Sequence, residues 1–258
     1  HTLASTVDLT TLMRNLVSTF CFALGLNCNM PQGRMDTSTG AQMYLACILG
    51  GNVALSLGLG GVGILLFSLV LGLLLGCFTG ILFINLRILP MVLGLGISLV
   101  YECISFSMYD QQGLNLFGKN GVAILSDKVF IVAVALLVIG VMTYMFQYSS
   151  FGYNRRAIQG NQKLANDSGI NIYVNAVLCY TLAGALVAVA GVFDTAYKSN
   201  LVPVLGMSSN STVFAAMFPM AVGIWLSKKA NPVIGILAGA LAVQLLVIGL
   251  SKFTAVGL

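Results

Sequence analysis

Charged side chains are scarce in this sequence. Only 7% of its 258 residues are Asp, Glu, Lys or Arg, whereas 58% are hydrophobic and the mean hydropathy is +0.97. So few charges cannot cover the surface of a water-soluble globule of this size. The composition is that of a membrane protein, and it leaves no segment for a sizeable soluble domain.

Histidine is nearly absent too, which argues against most enzymatic and metal sites. The one histidine is His1, and no paired carboxylates, Ser/His/Asp set or HExxH motif is present. The six cysteines lie mostly inside apolar runs without CxxC spacing, so we expect packing positions instead of disulfides or metal ligands. We predict no catalytic residue, no metal site and no cofactor.

Two glycine-rich stretches match nucleotide-binding patterns only in their spacing. Residues 58–63 fit GxGxxG, but no strand precedes them and no acidic residue follows about 20 positions on. Residues 113–120 fit GxxxxGK, but Asn120 stands where a magnesium-binding Ser or Thr belongs. We expect an interhelical turn and a loop there, and no ATP site.

Apolar runs separated by Pro, Gly and polar breakers predict an all-α, polytopic transmembrane bundle. The second and seventh runs are short enough to be broken or re-entrant helices. The eight runs lie near residues 11–30, 41–59, 61–86, 89–107, 128–148, 174–193, 211–227 and 231–250.

Basic residues in the short loops orient this bundle, because Lys and Arg concentrate on the cytoplasmic side. If the spans alternate, the clustered basic residues share one side, which we assign to the cytoplasm: Arg34, Arg87, Arg155, Arg156, Lys163, Lys228 and Lys229. The opposite side holds scattered ones: Arg14, Lys119, Lys128, Lys198 and Lys252.

The two halves of the chain resemble each other. Residues 33–51 align with 206–224, which places glycine over glycine and Ser-Thr over Ser-Thr: Gly33 over Gly206, Gly50 over Gly223, and Ser38 and Thr39 over Ser211 and Thr212. Many transporters consist of such repeats, with the solute path near the repeat interface and formed by interrupted helices. The pattern therefore indicates transport.

A few residues inside the apolar runs are candidates for specific roles. Gly72, Gly76 and Gly80 recur every fourth residue, which predicts close helix packing within one subunit or between subunits. Glu102 is an ionisable group at membrane depth, which is costly, so it is a candidate for the solute path or a gate. Asp36 precedes Ser38 and Thr39 and could cap a helix or contact solute.

The most polar segment is 151-FGYNRRAIQGNQKLANDSGIN-171. Small residues recur every fourth position and would form one stripe on a continuous helix, flanked by side chains that donate hydrogen bonds. We expect this stripe to dock against a partner, and a solvated loop that only anchors topology is the alternative. The stripe comprises Ala157, Asn161, Ala165 and Gly169, and the donors are Arg155, Arg156, Gln159, Gln162 and Lys163.

This segment resembles the cytoplasmic loop of bacterial ABC importer permeases of the ribose and simple-sugar type, whose pattern is approximately T-x-F-G-R-x-x-x-A-I-G-x-N-x-x-A-A-x-x-S-G-I. Residues 33–42 are similar to that family's G-G-I-D-L-S-V-G-S, and 82–96 to its short basic turn and following helix. The likeness covers almost the whole chain in the same order. The superfamily also includes branched-chain amino acid permeases.

The resemblance implies one permease domain over residues 1–258, with a cytoplasmic coupling loop at 149–173, in the bacterial cytoplasmic (inner) membrane. It also implies that the family's first helix and most of its last lie outside this chain. The implied partners are ABC ATPase subunits, a second permease copy or paralogue, an extracytoplasmic solute-binding protein and the lipid bilayer, with no nucleic acid.

By the same resemblance, ATPase coupling falls on Arg155, Arg156, Ala157, Asn161, Ala165 and Gly169. For the solute path we choose polar groups at helix interruptions and Glu102: Asp36, Ser38, Thr39, Glu102, Ser211 and Thr212. The expected cargo is a monosaccharide or nucleoside. Departures from the family pattern at Thr37, Thr39 and 223–235 leave open a branched-chain amino acid permease, an ion-coupled secondary transporter or a structural membrane subunit.

Overall fold

The computed structural model describes residues 6–119, 121–227 and 231–256 of an almost entirely helical chain. Its α-helices and strands, in chain order, are α1 Thr6–Asn29, α2 Thr39–Ser56, α3 Gly60–Leu86, α4 Pro90–Ser107, β1 Leu114–Asn115, α5 Lys128–Gln147, α6 Ser150–Gly160, α7 Gln162–Asp167, α8 Ile172–Lys198, β2 Asn200–Leu201, α9 Asn210–Leu226 and α10 Pro232–Val256. The all-α prediction is confirmed, and each of the eight apolar runs contains one long helix. Lys228, Lys229 and Asn120 lie outside the described residues.

Within the described residues, five helices are long and apolar enough to cross a membrane: α3, α4, α5, α8 and residues 232–250 of α10. The two runs expected to be short or interrupted, α2 and α9, have 18 and 17 residues. Each follows a segment that forms neither helix nor strand, residues 33–38 before α2 and 202–209 before α9. These segments position the candidate site.

Contacts at the two ends of the bundle fit the alternation of the helices predicted from the sequence. At one end, β1 and β2 pair antiparallel, with Leu114 opposite Leu201. Arg14 donates a 3.1 Å hydrogen bond to the carbonyl of Ser126 in the loop that leads to α5. At the other end, Arg34 and Arg87 line one cavity with Gln162.

Helix α8 is the central element of the core, and α3 crosses it very closely. A Cβ on Gly72 or Gly76 would lie under 3.0 Å from the carbonyl oxygen of Gly184 or Tyr180. Gly80 faces the same helix, because its Cβ would lie 3.0 Å from the Cα of Val177. The glycine stripe therefore packs inside this subunit, where the small residues let two backbones approach.

The internal repeat is visible in the backbone. Gly33 and Gly206 both adopt left-handed conformations, with φ of 75° and 73°, ahead of α2 and α9. Gly50 and Gly223 both mark a close approach to the next long helix, since a Cβ would lie under 3.0 Å from the backbone of Ser68 on α3 or Ile236 on α10. Glycine is required at both pairs for the same local reasons.

Candidate functional site

The starts of α2 and α9 meet inside the bundle. A Cβ on Gly40 would lie under 3.0 Å from the carbonyl of Ser209 and 3.1 Å from Oγ1 of Thr212, so only glycine allows this approach. The two halves of the repeat thus touch where their interrupted helices begin. Two positive helix ends directed into one buried region attract negatively charged or polar groups.

Asp36 occupies the start of α2. Its Oδ1 accepts hydrogen bonds from the backbone N–H of Ser38 at 2.9 Å and from the Ser38 hydroxyl at 2.6 Å. Thr39 donates its hydroxyl to the carbonyl of Asp36 at 3.3 Å. Asp36 is 2% exposed, and Ser38 and Thr39 are fully buried. The carboxylate therefore bonds Ser38, the residue just before α2, and makes no hydrogen bond to an N–H group within the helix.

Glu102 occupies the start of α9, although it belongs to α4. Its two carboxylate oxygens accept from the backbone N–H groups of Met207 at 2.8 Å and Ser209 at 3.0 Å. Its side chain is fully buried. A buried carboxylate needs such compensation, and the free N–H groups and positive end of a helix supply it.

Further polar residues join the two acidic ones, and sequence reasoning missed them. Gln42 of α2 donates to Oγ1 of Thr79 on α3 at 2.8 Å, and that oxygen lies 3.0 Å from the hydroxyl of Tyr101 on α4. Ser98 of α4 donates to the carbonyl of Thr37 at 3.2 Å. A polar amide in the apolar helix α2 was the available signal for Gln42. We call the buried residues Asp36, Thr37, Ser38, Gln42, Thr79, Tyr101, Glu102 and Ser209 the helix-start cluster.

Several oxygens of this region have no hydrogen-bond partner among the described residues. They belong to buried side chains: Asp36 Oδ2, Thr37 Oγ1, Gln42 Oε1, Ser209 Oγ and Asn210 Oδ1. Buried polar atoms nearly always have partners in folded proteins, so unpaired ones that cluster at one place require an explanation. A hydroxylated solute could bond them.

The remaining two residues chosen for the solute path sit at the edge of the cluster. Thr212 is half-buried and donates its hydroxyl to the carbonyl of Ser209 at 2.6 Å. Ser211 is exposed and donates to the carbonyl of Ser208 at 2.7 Å. The structure thus brings the start of α2, Glu102 and Thr212 together, and it leaves Ser211 on the outer face of α9.

The polar segment after α5 does not form one continuous helix, so the predicted stripe is wrong. Asn161 is extended, with φ of −156° and ψ of 109°, because its side chain caps the next helix by accepting from the N–H of Leu164 at 3.1 Å. Ala157 and Asn161 are exposed, but Ala165 is only 4% exposed. Gly169 lies beyond α7 in a left-handed turn with φ of 84°. We call α6, Asn161 and α7 together the coupling corner.

Arg155 is buried, although the sequence analysis placed it on the docking surface. Its guanidinium donates to the carbonyls of Asn27 and Cys28 at the end of α1 and lies 4.5 Å from the centre of the Phe146 ring. Burial lowers the pKa of Arg155, the cost of holding the charge away from water. Arg155 therefore anchors the coupling corner to α1, whereas Arg156 is exposed, with its guanidinium 4.7 Å from the centre of the Tyr153 ring.

A chain of hydrogen bonds leads from this anchor toward the helix-start cluster. The carbonyl of Cys28, which accepts from Arg155, also accepts from the side-chain amide of Gln32 at 3.0 Å. Arg34 in turn donates to the amide oxygen of Gln32 at 3.0 Å. Arg34 precedes Asp36 by two residues, so the coupling corner connects directly to the segment that enters the site.

A membrane-spanning helical bundle with an internal repeat, two interrupted helices and a buried polar cluster where they meet is the architecture of a transport protein. Residues 9–256 match the family described as the branched-chain amino acid transport system / permease component. The chain belongs to this permease family, and it is a multi-pass protein of the bacterial cytoplasmic (inner) membrane. The resemblance seen in the sequence is confirmed.

Among curated proteins, the chain is similar to sugar permeases. The galactose/methyl galactoside import permease protein MglC of Escherichia coli (strain K12) is 24% identical over 73% of this chain and 59% of its own length. The galactofuranose transporter permease protein YtfT of the same strain is 25% identical over 85% and 60%. The ribose import permease protein RbsC of Bacillus subtilis (strain 168) is 25% identical over 95% and 77%.

The chain thus spans about three fifths of the length of the first two of these relatives. No solved structure matches it.

Proposed function

We propose that this chain is the permease domain of an ATP-driven importer and forms the path of a small polar solute, a monosaccharide or nucleoside. The observation that carries the proposal is the helix-start cluster, which is buried where the two halves of the repeat meet. Its unpaired oxygens match the hydroxyl groups of a sugar. The similar permeases are named for galactose, galactofuranose and ribose, which supports the same class of cargo.

Transport requires this cluster to open alternately to the two sides. In the structure it is closed, since Asp36, Ser38 and Glu102 are at most 2% exposed. Gly40 and Ser209 make a close contact between the two helix starts. Separation of α2 from α9 there would expose both helix starts and the unpaired oxygens to the solute.

The energy would come from separate ATPase subunits that bind the coupling corner. Its exposed residues include the aliphatic side chain of Leu164, which is 64% exposed, beside Ala157 and Asn161. An apolar side chain among polar ones is the usual composition of a docking surface. Arg155, Gln32 and Arg34 would pass a displacement of the corner to residues 33–38. An extracytoplasmic solute-binding protein and a second permease copy or paralogue complete the proposed importer.

A branched-chain amino acid is the second candidate cargo, because the description of the matched family names it. The two classes differ in what the cluster must bond. A sugar presents several hydroxyl groups, whereas an amino acid presents an ammonium and a carboxylate with an apolar side chain. The buried carboxylate oxygen of Asp36 could bond either a hydroxyl or an ammonium group.

Reconstitution tests the function directly. The complete permease is inserted into liposomes with its ATPase subunits and binding protein, and uptake of radiolabelled ribose, galactose, a nucleoside and leucine is measured with and without ATP. We expect ATP-dependent uptake of a sugar or nucleoside. Uptake driven by an ion gradient without the ATPase would overturn the proposal, and uptake of leucine alone would assign the second cargo.

A further inference from the structure

A cavity of about 330 Å³ opens at the end of the bundle that carries the coupling corner. It lies between the end of α3, the start of α4, the start of α7 and the start of α8. Arg34, Arg87 and Gln162 line it together with Ile88, Leu89 and Tyr173. The residues of the helix-start cluster do not line it, so it is distinct from the proposed solute site.

The cavity is positively charged. No acidic residue lines it, and the one ion pair found among the described residues joins Lys198 and Asp194 instead. Arg34 is 5% exposed and has a neutral hydrogen-bond partner, Gln32. Arg87 is exposed. Two arginines with no carboxylate beside them favour an anionic ligand.

The start of α4 adds to this charge. Pro90 lines the cavity, and Leu89, the residue before the helix, supplies no side-chain cap. The first N–H groups of a helix and its positive end form a site for phosphate when they are not capped. This helix start reinforces the two arginines and makes a phosphate group the best match.

The rim of the cavity is apolar and faces outward. Leu89 is 72% exposed, Tyr173 is 57% exposed and Ile88 is 44% exposed. These residues lie at the ends of apolar helices long enough to cross a bilayer, where the hydrocarbon meets the head groups. A free phosphate ion would gain nothing from this rim, but the acyl chain of a lipid would cover it.

We propose that this cavity binds the head group of an anionic phospholipid, with an acyl chain along Ile88 and Leu89. Basic pockets between membrane helices on the cytoplasmic side recognise anionic head groups by this combination of charge and apolar surface. The lipid would join the end of α3 and the start of α4 to the coupling corner through Gln162 and to α8 through Tyr173. The inference concerns a separate site and does not rest on the proposed cargo.

Lipid retention by the purified full chain tests the proposal. The melting temperature and the lipid-bound fraction in native mass spectra are measured with phosphatidylglycerol and with phosphatidylcholine of the same acyl chains. We expect preferential binding of phosphatidylglycerol and a larger rise in melting temperature. Arg87→Gln should weaken that binding about fivefold, since one basic residue near an anionic lipid contributes about that factor.

The variants separate a site from general charge attraction. Arg34→Gln should lose the same preference, whereas Lys163→Gln removes an exposed positive charge from the coupling corner without touching the cavity lining and should retain it. Arg87 is exposed, so Arg87→Gln should fold normally and is the decisive variant. Equal binding of both lipids, or unchanged binding by Arg87→Gln, would overturn the proposal.

Two further outcomes would assign the cavity differently. If inorganic phosphate raises the melting temperature as much as phosphatidylglycerol does, the site takes a free anion and the lipid proposal is wrong. If the ATPase subunits displace the lipid from the assembled transporter, the cavity belongs to a protein contact. Fluorescence gives a positional check, because Tyr173→Trp in a Trp225→Phe background should be quenched by phosphatidylglycerol with brominated chains.

Discussion

Glu102 and Ser209 are 107 positions apart in the chain, yet the carboxylate of one accepts the backbone N–H of the other at 3.0 Å. The same carboxylate accepts from the N–H of Met207 at 2.8 Å. One side chain of α4 therefore caps the start of α9. The interrupted helix is held in place by a residue that its own half of the chain does not contain.

Replacement of this carboxylate tests how much it stabilises the fold. We expect Glu102→Gln to lower the free energy of unfolding by roughly 1–3 kcal/mol, because two backbone donors lose a charged acceptor. Thermal unfolding in detergent measures the loss. Asp110→Asn is the matched control, since Asp110 is exposed on the loop after α4. Equal melting temperatures for the two variants would show that the cap contributes little.

Asp36 combines a structural role and a proposed solute contact, and two substitutions separate them. Asp36→Asn keeps an oxygen that can accept from Ser38 but replaces the unpaired carboxylate oxygen by an amide nitrogen. We expect a stable protein with at least tenfold lower uptake, about 1.4 kcal/mol of lost solute binding. Asp36→Ala should also lose about 1 kcal/mol of stability, because the two hydrogen bonds from Ser38 are lost. Normal uptake by Asp36→Asn would remove Asp36 from the path.

The glycine stripe of α3 sets the distance to α8. We expect Gly76→Ala to destabilise the protein by roughly 1–3 kcal/mol, because the new methyl group would meet the carbonyl of Tyr180 and the backbone must shift. Gly140→Ala on α5 is the control, since a Cβ there meets nothing within 4 Å. A tolerated Gly76→Ala would mean that the two helices can separate without cost.

Two alanines of the coupling corner should respond differently to the same enlargement. Ala157→Trp lies on the exposed face, so we expect a normally folded protein that no longer co-purifies with the proposed ATPase subunits. Ala165→Trp should instead lower the melting temperature, because Ala165 is 4% exposed and has no room. Retained ATPase association by Ala157→Trp would place the docking surface elsewhere.

Adjacent arginines give a second contrast at this corner. Arg155→Gln should lower the melting temperature, since a neutral amide cannot replace the charged bonds to the carbonyls of Asn27 and Cys28. Arg156→Gln should leave the melting temperature unchanged, because its side chain is exposed, and weaken ATPase association. A stable Arg155→Gln with full ATP-dependent uptake would contradict the anchoring role.

Composition and periodicity were sufficient to predict the positions of the long helices. The apolar runs were long and their breakers clear, so the eight long helices appear where the sequence predicted them. The repeat was also readable, because Gly33 and Gly206 are needed for the same left-handed turn. These features depend on local physics, which a single sequence carries.

The site needed contacts that local patterns do not contain. Nothing near Glu102 in the sequence indicates Ser209 as its partner, and Gln42 and Thr79 come together only after α2 packs on α3. The prediction of one helical stripe in residues 151–171 was wrong for another reason. A stripe of residues four apart requires a continuous helix. The side chain of Asn161 instead accepts from the N–H of Leu164, which ends α6 and begins α7.

The short pairing of β1 with β2 joins the loop after α4 to the linker before α9. Glu102, which belongs to α4, bonds the same linker at Met207 and Ser209. The segment that enters α9 is therefore attached to α4 and its following loop at two places. A displacement of α9 relative to α4 would have to break both the strand pairing and the hydrogen bonds of Glu102. Because Ser98 of α4 also donates to the carbonyl of Thr37 ahead of α2, α4 holds the entries of both interrupted helices, and their separation requires one of these two attachments to break.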